Sequence, residues 1–274
     1  MKTIVITGGS DGIGAAAAKV LVGLGHRVII VGRNPTKTAA VANALKIPYH
    51  LADFTKLADV QRLANELRQY DHIDVLANNA GGIMGERTLT ADGFEKTFQV
   101  NHLGAFLLTQ LLLDKLVADH ATVIATSSIA ANLFGAPFDV NDLNVVQSYT
   151  SEKAYGYAKY ENILFTRELV RRYPGQLHAV AFHPGVVRTS FSSESNTVMR
   201  WLYQTPLKYL GTISPAKSAQ RLVKLALGTP GVDFTDGAVY NGNHLLKVKN
   251  QDVDGQDGQG LWETSIHAVV DYLA

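Results

Sequence analysis

Residues 3–21 read TIVITGGSDGIGAAAAKVL, and the fold turns on how they are read. Thr3–Thr7 is a short β-rich run, Gly8–Gly14 is a glycine-rich turn, and a stretch of small apolar residues follows. Gly8, Gly12 and Gly14 have the spacing G-x-x-x-G-x-G, with Ser10 and Ile13 inside the same turn. Glycines in such a turn let the chain reverse tightly and let backbone N–H groups approach a pyrophosphate at a helix N-terminus. A glycine loop alone is weak evidence, because plain turns match it too. Its place at a first strand-to-helix junction makes dinucleotide binding the better reading.

Working outward, short β-rich runs alternate with longer helical patterns, the signature of parallel βαβ units. The expected strands are Thr3–Thr7, Arg27–Val31, Pro48–Leu51, Asp74–Ala77, Thr122–Thr126, Leu177–Phe182 and Ala238–Asn241. The expected helices lie near Ile13–Leu24, Thr36–Leu45, Leu57–Gln69, Ala91–Val117, Ser151–Arg172, Pro215–Ala226 and Leu261–Leu273. No linker interrupts this alternation. It predicts an α/β fold: one Rossmann-type domain over residues 1–274, a doubly wound parallel sheet of about seven strands in three αβα layers. Ligands of such sheets bind beyond the carboxyl ends of the strands. The loops 131–149 and 186–214 sit there and are expected to shape a substrate pocket. The polar stretch KNQDVDGQDGQG lacks the EF-hand spacing and reads as an ordinary loop.

Composition excludes several other classes. Of 274 residues, 46% are hydrophobic, enough for a large core. The 25 basic and 24 acidic residues are mixed and leave a net charge of +1, with no basic run for nucleic acid. There is no cysteine, so disulfides and thiol nucleophiles are excluded. The nine histidines show no metal-ligand spacing. The longest apolar stretch, LGAFLLTQLLLDKLV, is interrupted by Thr109, Gln110, Asp114 and Lys115 and reads as a buried helix, not a membrane span. The first residues run directly into a strand without a secretory signal, and the expectation is a cytoplasmic protein.

The second strand, in RVIIVGRN, ends in Arg33 where an acidic residue would hold a ribose diol. An arginine there pairs with a 2′-phosphate, so NADP(H) is preferred, with NAD(H) possible. Ser10 adds a hydroxyl to the same phosphate, whereas Asp11 opposes it. Asp53 and Phe54, after the third strand, are expected at the adenine edge.

The stretch SYTSEKAYGYAKYENILF, residues 148–165, pairs tyrosine with lysine twice at four-residue spacing: Tyr149 with Lys153 and Tyr155 with Lys159. An ammonium beside a phenol favours phenolate and makes tyrosine a usable proton donor and acceptor. At about 4 Å and an effective dielectric of 20 the attraction is roughly 4 kcal/mol, or up to about three pKa units off a value of about 10. Ala154, Ala158, Phe165 and Leu169 form an apolar stripe expected to face the sheet, with Tyr155, Lys159 and Asn162 along one flank. Lys153 falls on another face beside Tyr160, Arg167 and Arg171, which reads as solvated. Tyr149 precedes the helix. The helix faces select Tyr155 and Lys159.

Several motifs then converge in order: TGGSDGIG, NNAG at Asn78–Gly81, VNHLGAF from Val100, ATSSIA from Ala125, YGYAK, and HPGVVRT from His183. Together they resemble the short-chain dehydrogenase/reductase family over essentially the whole chain. FDVNDLN, LFTREL and LWETS further resemble its retinol-dehydrogenase-like branch, many members of which carry a membrane anchor ahead of the first strand. The resemblance implies hydride transfer between a nicotinamide and a carbonyl/alcohol pair. It implies that Asn101 supports a proton-relay water, Ser128 binds the substrate oxygen, Tyr155 exchanges the proton, and Lys159 lowers the tyrosine pKa and holds the nicotinamide ribose. Asn79, Ala80 and Gly81 would contact the cofactor; Pro184 and Gly185 would line the nicotinamide, with Val187 and Thr189 near its carboxamide. Only one of Ser127 and Ser128 can face the cleft, and the motif match selects Ser128. His102 and His183 match no catalytic position. A homodimer or homotetramer is implied as well. The competing expectations are an NAD-dependent alcohol dehydrogenase and a non-catalytic dinucleotide sensor. Phe191, Met199, Trp201, Leu202 and Tyr203 suggest a hydrophobic substrate or, equally, a subunit contact.

Overall fold

The computed structural model describes residues 1–185, 213–249, 252 and 255–273. Its strands are β1 (Thr3–Thr7), β2 (Arg27–Gly32), β3 (Tyr49–Leu51), β4 (Val75–Asn78), β5 (Thr122–Thr126), β6 (His178–His183), β7 (Val239–Asn241) and β8 (His244–Leu245). Their order in the sheet is β3-β2-β1-β4-β5-β6-β7-β8. Pairing is parallel as far as β7, and the two-residue β8 runs antiparallel to it. The order reverses between β1 and β4, the point where such sheets open a ligand crevice. Register places Ile6 opposite Ala77, Asn78 opposite Ala125 and Thr126 opposite Phe182. Gly8, Asn79, Ser128 and Pro184 therefore emerge along one edge.

The helices are α1 (Gly12–Gly23), α2 (Pro35–Leu45), α3 (Leu57–Leu67), α4 (Lys96–Phe98), α5 (Gly104–Leu111), α6 (Leu113–Ala118), α7 (Ala130–Phe134), α8 (Ser151–Arg172), α9 (Pro215–Leu227) and α10 (Gln256–Ala268). Successive strand side chains point to opposite faces, which divides the core in two. Ile4, Ile6, Val28, Ile30, Val75, Ile124 and Phe182 pack with Ala17 and Leu21 of α1 and Leu222 of α9. Val5, Ile29, Val31, Leu76, Val123 and Ala181 pack with Leu63 of α3, Phe106 of α5 and Ile163 of α8. Because both faces are covered, the strands read as nearly continuous apolar runs. The α/β three-layer expectation holds. No described helix is long and apolar enough to cross a membrane.

Four details differ from the sequence reading. The described residues form eight strands, not seven, because β8 is too short to leave a periodic signal. The single helix expected over Ala91–Val117 is broken up. Leu89 bridges to Glu95, α4 is one turn, a π-helical turn spans Gln99–Leu103, and Leu112 interrupts α5 and α6 with ψ near zero. Glu95, Thr97, Gln99 and Asn101 are buried here along with their apolar neighbours, so polarity along the segment does not mark the breaks. The last helix begins at Gln256, inside the stretch read as loop, because Asp252 accepts the Asp257 and Gly258 N–H groups at 2.9 and 3.0 Å. It ends at Ala268, and a 3-10 turn covers Val270–Tyr272.

The fourth concerns α8. The face carrying Lys153 and Tyr160 was expected in solvent, yet Tyr160 is fully buried. Phe138 of the 131–149 loop packs edge-on against it with ring centroids 5.2 Å apart, and the charge of Asp257 from α10 reaches it. Elements remote in sequence cover this face.

Candidate active site

The glycine turn is built as a cradle. Gly8 and Gly12 adopt φ of +67° and +54°, which other residues reach at a cost. A Cβ on Gly14 would lie 2.4 Å from the Gly8 carbonyl oxygen, so the first turn of α1 presses on the loop. Ile13 follows in that turn. Asp11 caps α1, its Oδ1 accepting the Gly12 N–H at 2.7 Å, and its Oδ2 pairs with Lys37 Nζ at 3.3 Å. A Cβ on Gly32 would lie 3.1 Å from Ser10 Oγ, which puts that hydroxyl beside the backbone leading into exposed Arg33. Lys37, in the first turn of α2, adds a second cation that the sequence reading missed. Its spacing from Arg33 across a helix start could have revealed it. These residues fit a dinucleotide phosphate: a glycine floor, a helix N-terminus, a hydroxyl and two cations.

The other cofactor candidates divide between backbone and side-chain roles. Asn79 ties strands together: its N–H donates to Thr7 Oγ1 at 3.0 Å, its Nδ2 donates to the Thr7 carbonyl at 2.9 Å, and its Oδ1 accepts from Thr126 Oγ1 at 3.4 Å. Ala80 N–H also donates to Thr7 Oγ1, at 3.0 Å. Asp53 Oδ1 accepts the Thr55 N–H at 3.0 Å. The Phe54 ring is buried, and a Cβ on Gly104 would approach it to 2.8 Å, so its side chain serves packing.

Asn101 lies in the π-helical turn, a distortion common at functional sites. Its Nδ2 donates to the carbonyls of Gly82 and Thr97, both at 2.9 Å, and its Oδ1 accepts the Gly82 N–H at 3.0 Å. A Cβ on Gly81 would lie 2.4 Å from Asn101 Oδ1 and 3.2 Å from Lys159 Nζ. Glycine at that position lets Asn101, Lys159 and the chain after β4 meet.

The two serines take different roles. Ser127 is fully buried and its Oγ donates to the Lys159 carbonyl at 2.7 Å, fixing α8 to β5. Ser128 is partly exposed, and its Oγ accepts the Ala130 N–H at 3.2 Å, which leaves the hydroxyl proton available.

The two tyrosine–lysine pairs sit in different surroundings. Lys159 Nζ sits 5.3 Å from the centroid of the Tyr155 ring and donates to the Thr126 carbonyl at 3.1 Å. Burial pulls its pKa down to about 7, and the charge of Glu161 works against that. Tyr155 itself packs with Ile83 and Ala130. Lys153, by contrast, donates to the Gln147 carbonyl at 2.9 Å and lies over Tyr157. Tyr149 donates to the Gly85 carbonyl at 3.1 Å, and burial together with Glu95 pushes its pKa up to about 12. That is the wrong direction for proton exchange near neutrality.

Pro184 and Gly185 follow β6, where Ser218 Oγ donates to the Pro184 carbonyl at 2.7 Å. Gly185 has φ of +90°. Val187, Thr189 and the apolar residues Phe191, Met199, Trp201, Leu202 and Tyr203 lie outside the described residues. His183 Nδ1 accepts the Ile129 N–H at 3.3 Å, and His102 Nε2 meets Ser265 Oγ at 3.1 Å, so both serve packing. No group of three or more potential metal ligands occurs among the described residues.

A phenol beside a buried lysine amine, with the glycine turn and the partly exposed Ser128 at the same end of the sheet, can protonate an oxygen that gains charge. Comparison with known proteins agrees. The family model described as short chain dehydrogenase matches residues 2–199. A protein of Streptomyces sp. (strain C5) assigned as a daunorubicin C-13 ketoreductase is 38% identical over 98% of this chain and 93% of its own. Human retinol dehydrogenase 11 is 33% identical over 96% of this chain and 84% of its own. Among solved structures, a protein of Escherichia coli CFT073 assigned as a short-chain dehydrogenase and complexed with NADPH is 25% identical. Its TM-score is 0.63, covering 82% of this chain and 90% of that one.

Proposed function

The chain belongs to the short-chain dehydrogenase family, oxidoreductases acting on CH–OH or C=O groups, and on that premise we propose that it is an NADP(H)-dependent carbonyl/alcohol oxidoreductase for bulky hydrophobic substrates. The observation that carries the proposal is the buried Lys159 ammonium 5.3 Å from the Tyr155 ring, at the sheet edge where the glycine cradle opens. The Gly8–Gly14 turn and the α1 N-terminus would hold the pyrophosphate, with Ser10, Arg33 and Lys37 toward a 2′-phosphate and Lys159 toward the nicotinamide ribose. When bound, the cofactor supplies or accepts the hydride.

The chain's own groups manage the proton. In reduction, Ser128 donates a hydrogen bond to the carbonyl oxygen and Tyr155 gives that oxygen its proton. Lys159 favours the phenolate left behind, an attraction of roughly 4 kcal/mol at about 4 Å and an effective dielectric of 20. Asn101 holds the 81–82 backbone against Lys159. Ile83 and Ala130 make the surroundings of the phenol apolar, which supports a hydrophobic substrate. The names of the ketoreductase and retinol dehydrogenase relatives support the same class. Arg33 and the NADPH complex of the Escherichia coli relative support NADP(H).

The test is oxidation of NADPH against a panel of hydrophobic ketones and aldehydes. Tyr155→Phe should lower turnover by about 10³-fold, within the range of positioned acid–base groups, while NADPH binding stays near wild type. Undiminished turnover in that variant would sink the assignment.

A further inference from the structure

The backbone ladder between β5 and β6 ends where the Ser127 N–H donates to the Phe182 carbonyl at 2.9 Å. Beyond that bond, side chains hold the strand ends together. The His183 imidazole accepts the Ile129 N–H on Nδ1 at 3.3 Å. The His183 carbonyl accepts from Arg221 Nη1 of α9 at 2.7 Å, and the same nitrogen donates to Asn241 Oδ1 at 2.9 Å. Asn241 is the register partner of His183 on β7, so one guanidinium nitrogen bridges two neighbouring strand ends. Ser218, on the same face of α9, adds a bond from its Oγ to the Pro184 carbonyl at 2.7 Å.

Ser128 lies at the other end of this run of contacts. It opens a turn in which its Oγ accepts the Ala130 N–H at 3.2 Å and its carbonyl accepts the Ala131 N–H at 3.1 Å. The first N–H groups of a helix have no partner within it. Here α7 begins in that turn, and the Ile129 N–H finds its acceptor outside, on His183. A rotation of the Ile129 peptide would carry the Ser128 hydroxyl with it. The His183 contact thus does more than pack the strand end. Burial, and next the Arg221 charge, lower the His183 pKa to about 4, so Nδ1 remains an acceptor at neutral pH. Among the described residues Arg221 has no carboxylate partner, and both oxygens it holds are neutral. A planar guanidinium keeps its donors in fixed directions, which suits it to hold two acceptors in one geometry.

We infer that Arg221 is a positioning residue for Ser128: by fixing the end of β6 it seats the His183 ring against the Ile129 N–H and so aims the Ser128 hydroxyl at the substrate oxygen. The inference rests on the reading of Ser128 above. Arg221 acts through two hydrogen bonds and one turn of backbone, without touching the reacting atoms. Misplacing a positioned group by about 1 Å can cost on the order of 10²-fold in rate, so a distant clamp of this kind has a measurable effect.

Arg221→Met keeps most of the side chain's length and removes the donors. With NADPH and the ketone of the panel that wild type reduces fastest, its kcat/KM should fall by about 10–100-fold, while NADPH affinity stays within about twofold. The decisive measurement is a double-mutant cycle with Ser128→Ala. In that background Arg221→Met should cost less than about threefold more, because no hydroxyl is left to aim. Arg221→Lys should recover part of the loss, since an ammonium is a point donor that reaches one of the two oxygens. Equal losses in both backgrounds would overturn the inference alone. So would undiminished kcat/KM in Arg221→Met beside an impaired Ser128→Ala. An unimpaired Ser128→Ala would overturn the reading of Ser128 beneath it. Should Arg221→Met fail to fold, His183→Asn and His183→Leu decide. Asparagine keeps an acceptor near the position of Nδ1 and should retain most of kcat/KM, whereas leucine should lose about 10-fold. The same kinetics in both variants would overturn the inference.

Discussion

Lys159 Nζ and Asn162 Nδ2 donate to the same carbonyl oxygen, that of Thr126, at 3.1 and 3.3 Å. Tyr155, Lys159 and Asn162 thus run along one flank of α8, and the shared acceptor ties that flank to the end of β5. Losing one such hydrogen bond is worth about 1–1.5 kcal/mol. Asn162→Ala should therefore lower kcat/KM by roughly 10-fold, since a 1.4 kcal/mol change is about that factor. Steady-state kinetics together with NADPH titration would check it, with affinity changing less than kcat.

Arg33→Ala should weaken NADPH binding by about 10–100-fold, the worth of a charge-assisted bond of about 1.5–3 kcal/mol, and leave NADH binding unchanged. Lys37→Ala should act in the same direction with a smaller effect, because Lys37 must leave Asp11 to reach a phosphate. Fluorescence titration with both cofactors separates the two. An equal loss for NADPH and NADH would refute the 2′-phosphate role.

Gly14→Ala should cost more than about 2 kcal/mol of stability, because the new Cβ meets a backbone oxygen at 2.4 Å and backbone cannot swing aside. NADPH binding should be lost with it. Denaturant melts and cofactor titration provide the readout.

Acid should destabilise the protein through His102. Its folded pKa of about 3 lies below the ordinary 6.5. The unfolded chain therefore binds a proton that the folded protein refuses as pH falls from about 6.5 toward 3. Stability drops over that window, by up to about 5 kcal/mol for the full shift. His102→Leu should be less stable at pH 8, having lost the Ser265 contact, and show a shallower acid slope. Melts from pH 8 to 4 would measure both.

Lys153→Met should leave turnover within about twofold and cost roughly 1 kcal/mol of stability, from the lost bond to the Gln147 carbonyl and the contact over Tyr157. The same change at Lys159 should abolish activity. Parallel assays of the two variants test whether the first tyrosine–lysine pair is only a coincidence of spacing.

Legibility followed the range of the interactions involved. The glycine turn and the seven longer strands rest on neighbours within a few residues, and each was readable; the preference for Tyr155 over Tyr149 rests on helix spacing of the same short range and is a proposal that Tyr155→Phe tests. The dryness of the Tyr160 and Glu161 face was not, because residues 131–149 and α10 cover it from far along the chain. The π-helical turn at Asn101 was hidden for a related reason: the rest of the fold buries its polar residues Gln99, Asn101 and His102 as fully as its apolar ones.

The sequence by itself determined the alternating order of strands and helices, the glycine turn and the spacing of the candidate tyrosine–lysine pair, since local periodicity and spacing encode them. Tertiary structure alone decided which polar groups lie in a low dielectric and what they meet there. It set Ser127 against the Lys159 backbone, brought Asn101 and Lys159 together across Gly81, and left Glu161 buried without a partner. Burial depends on the whole packed chain, and burial is what pulls the Lys159 pKa down and holds the Glu161 carboxyl above its usual range.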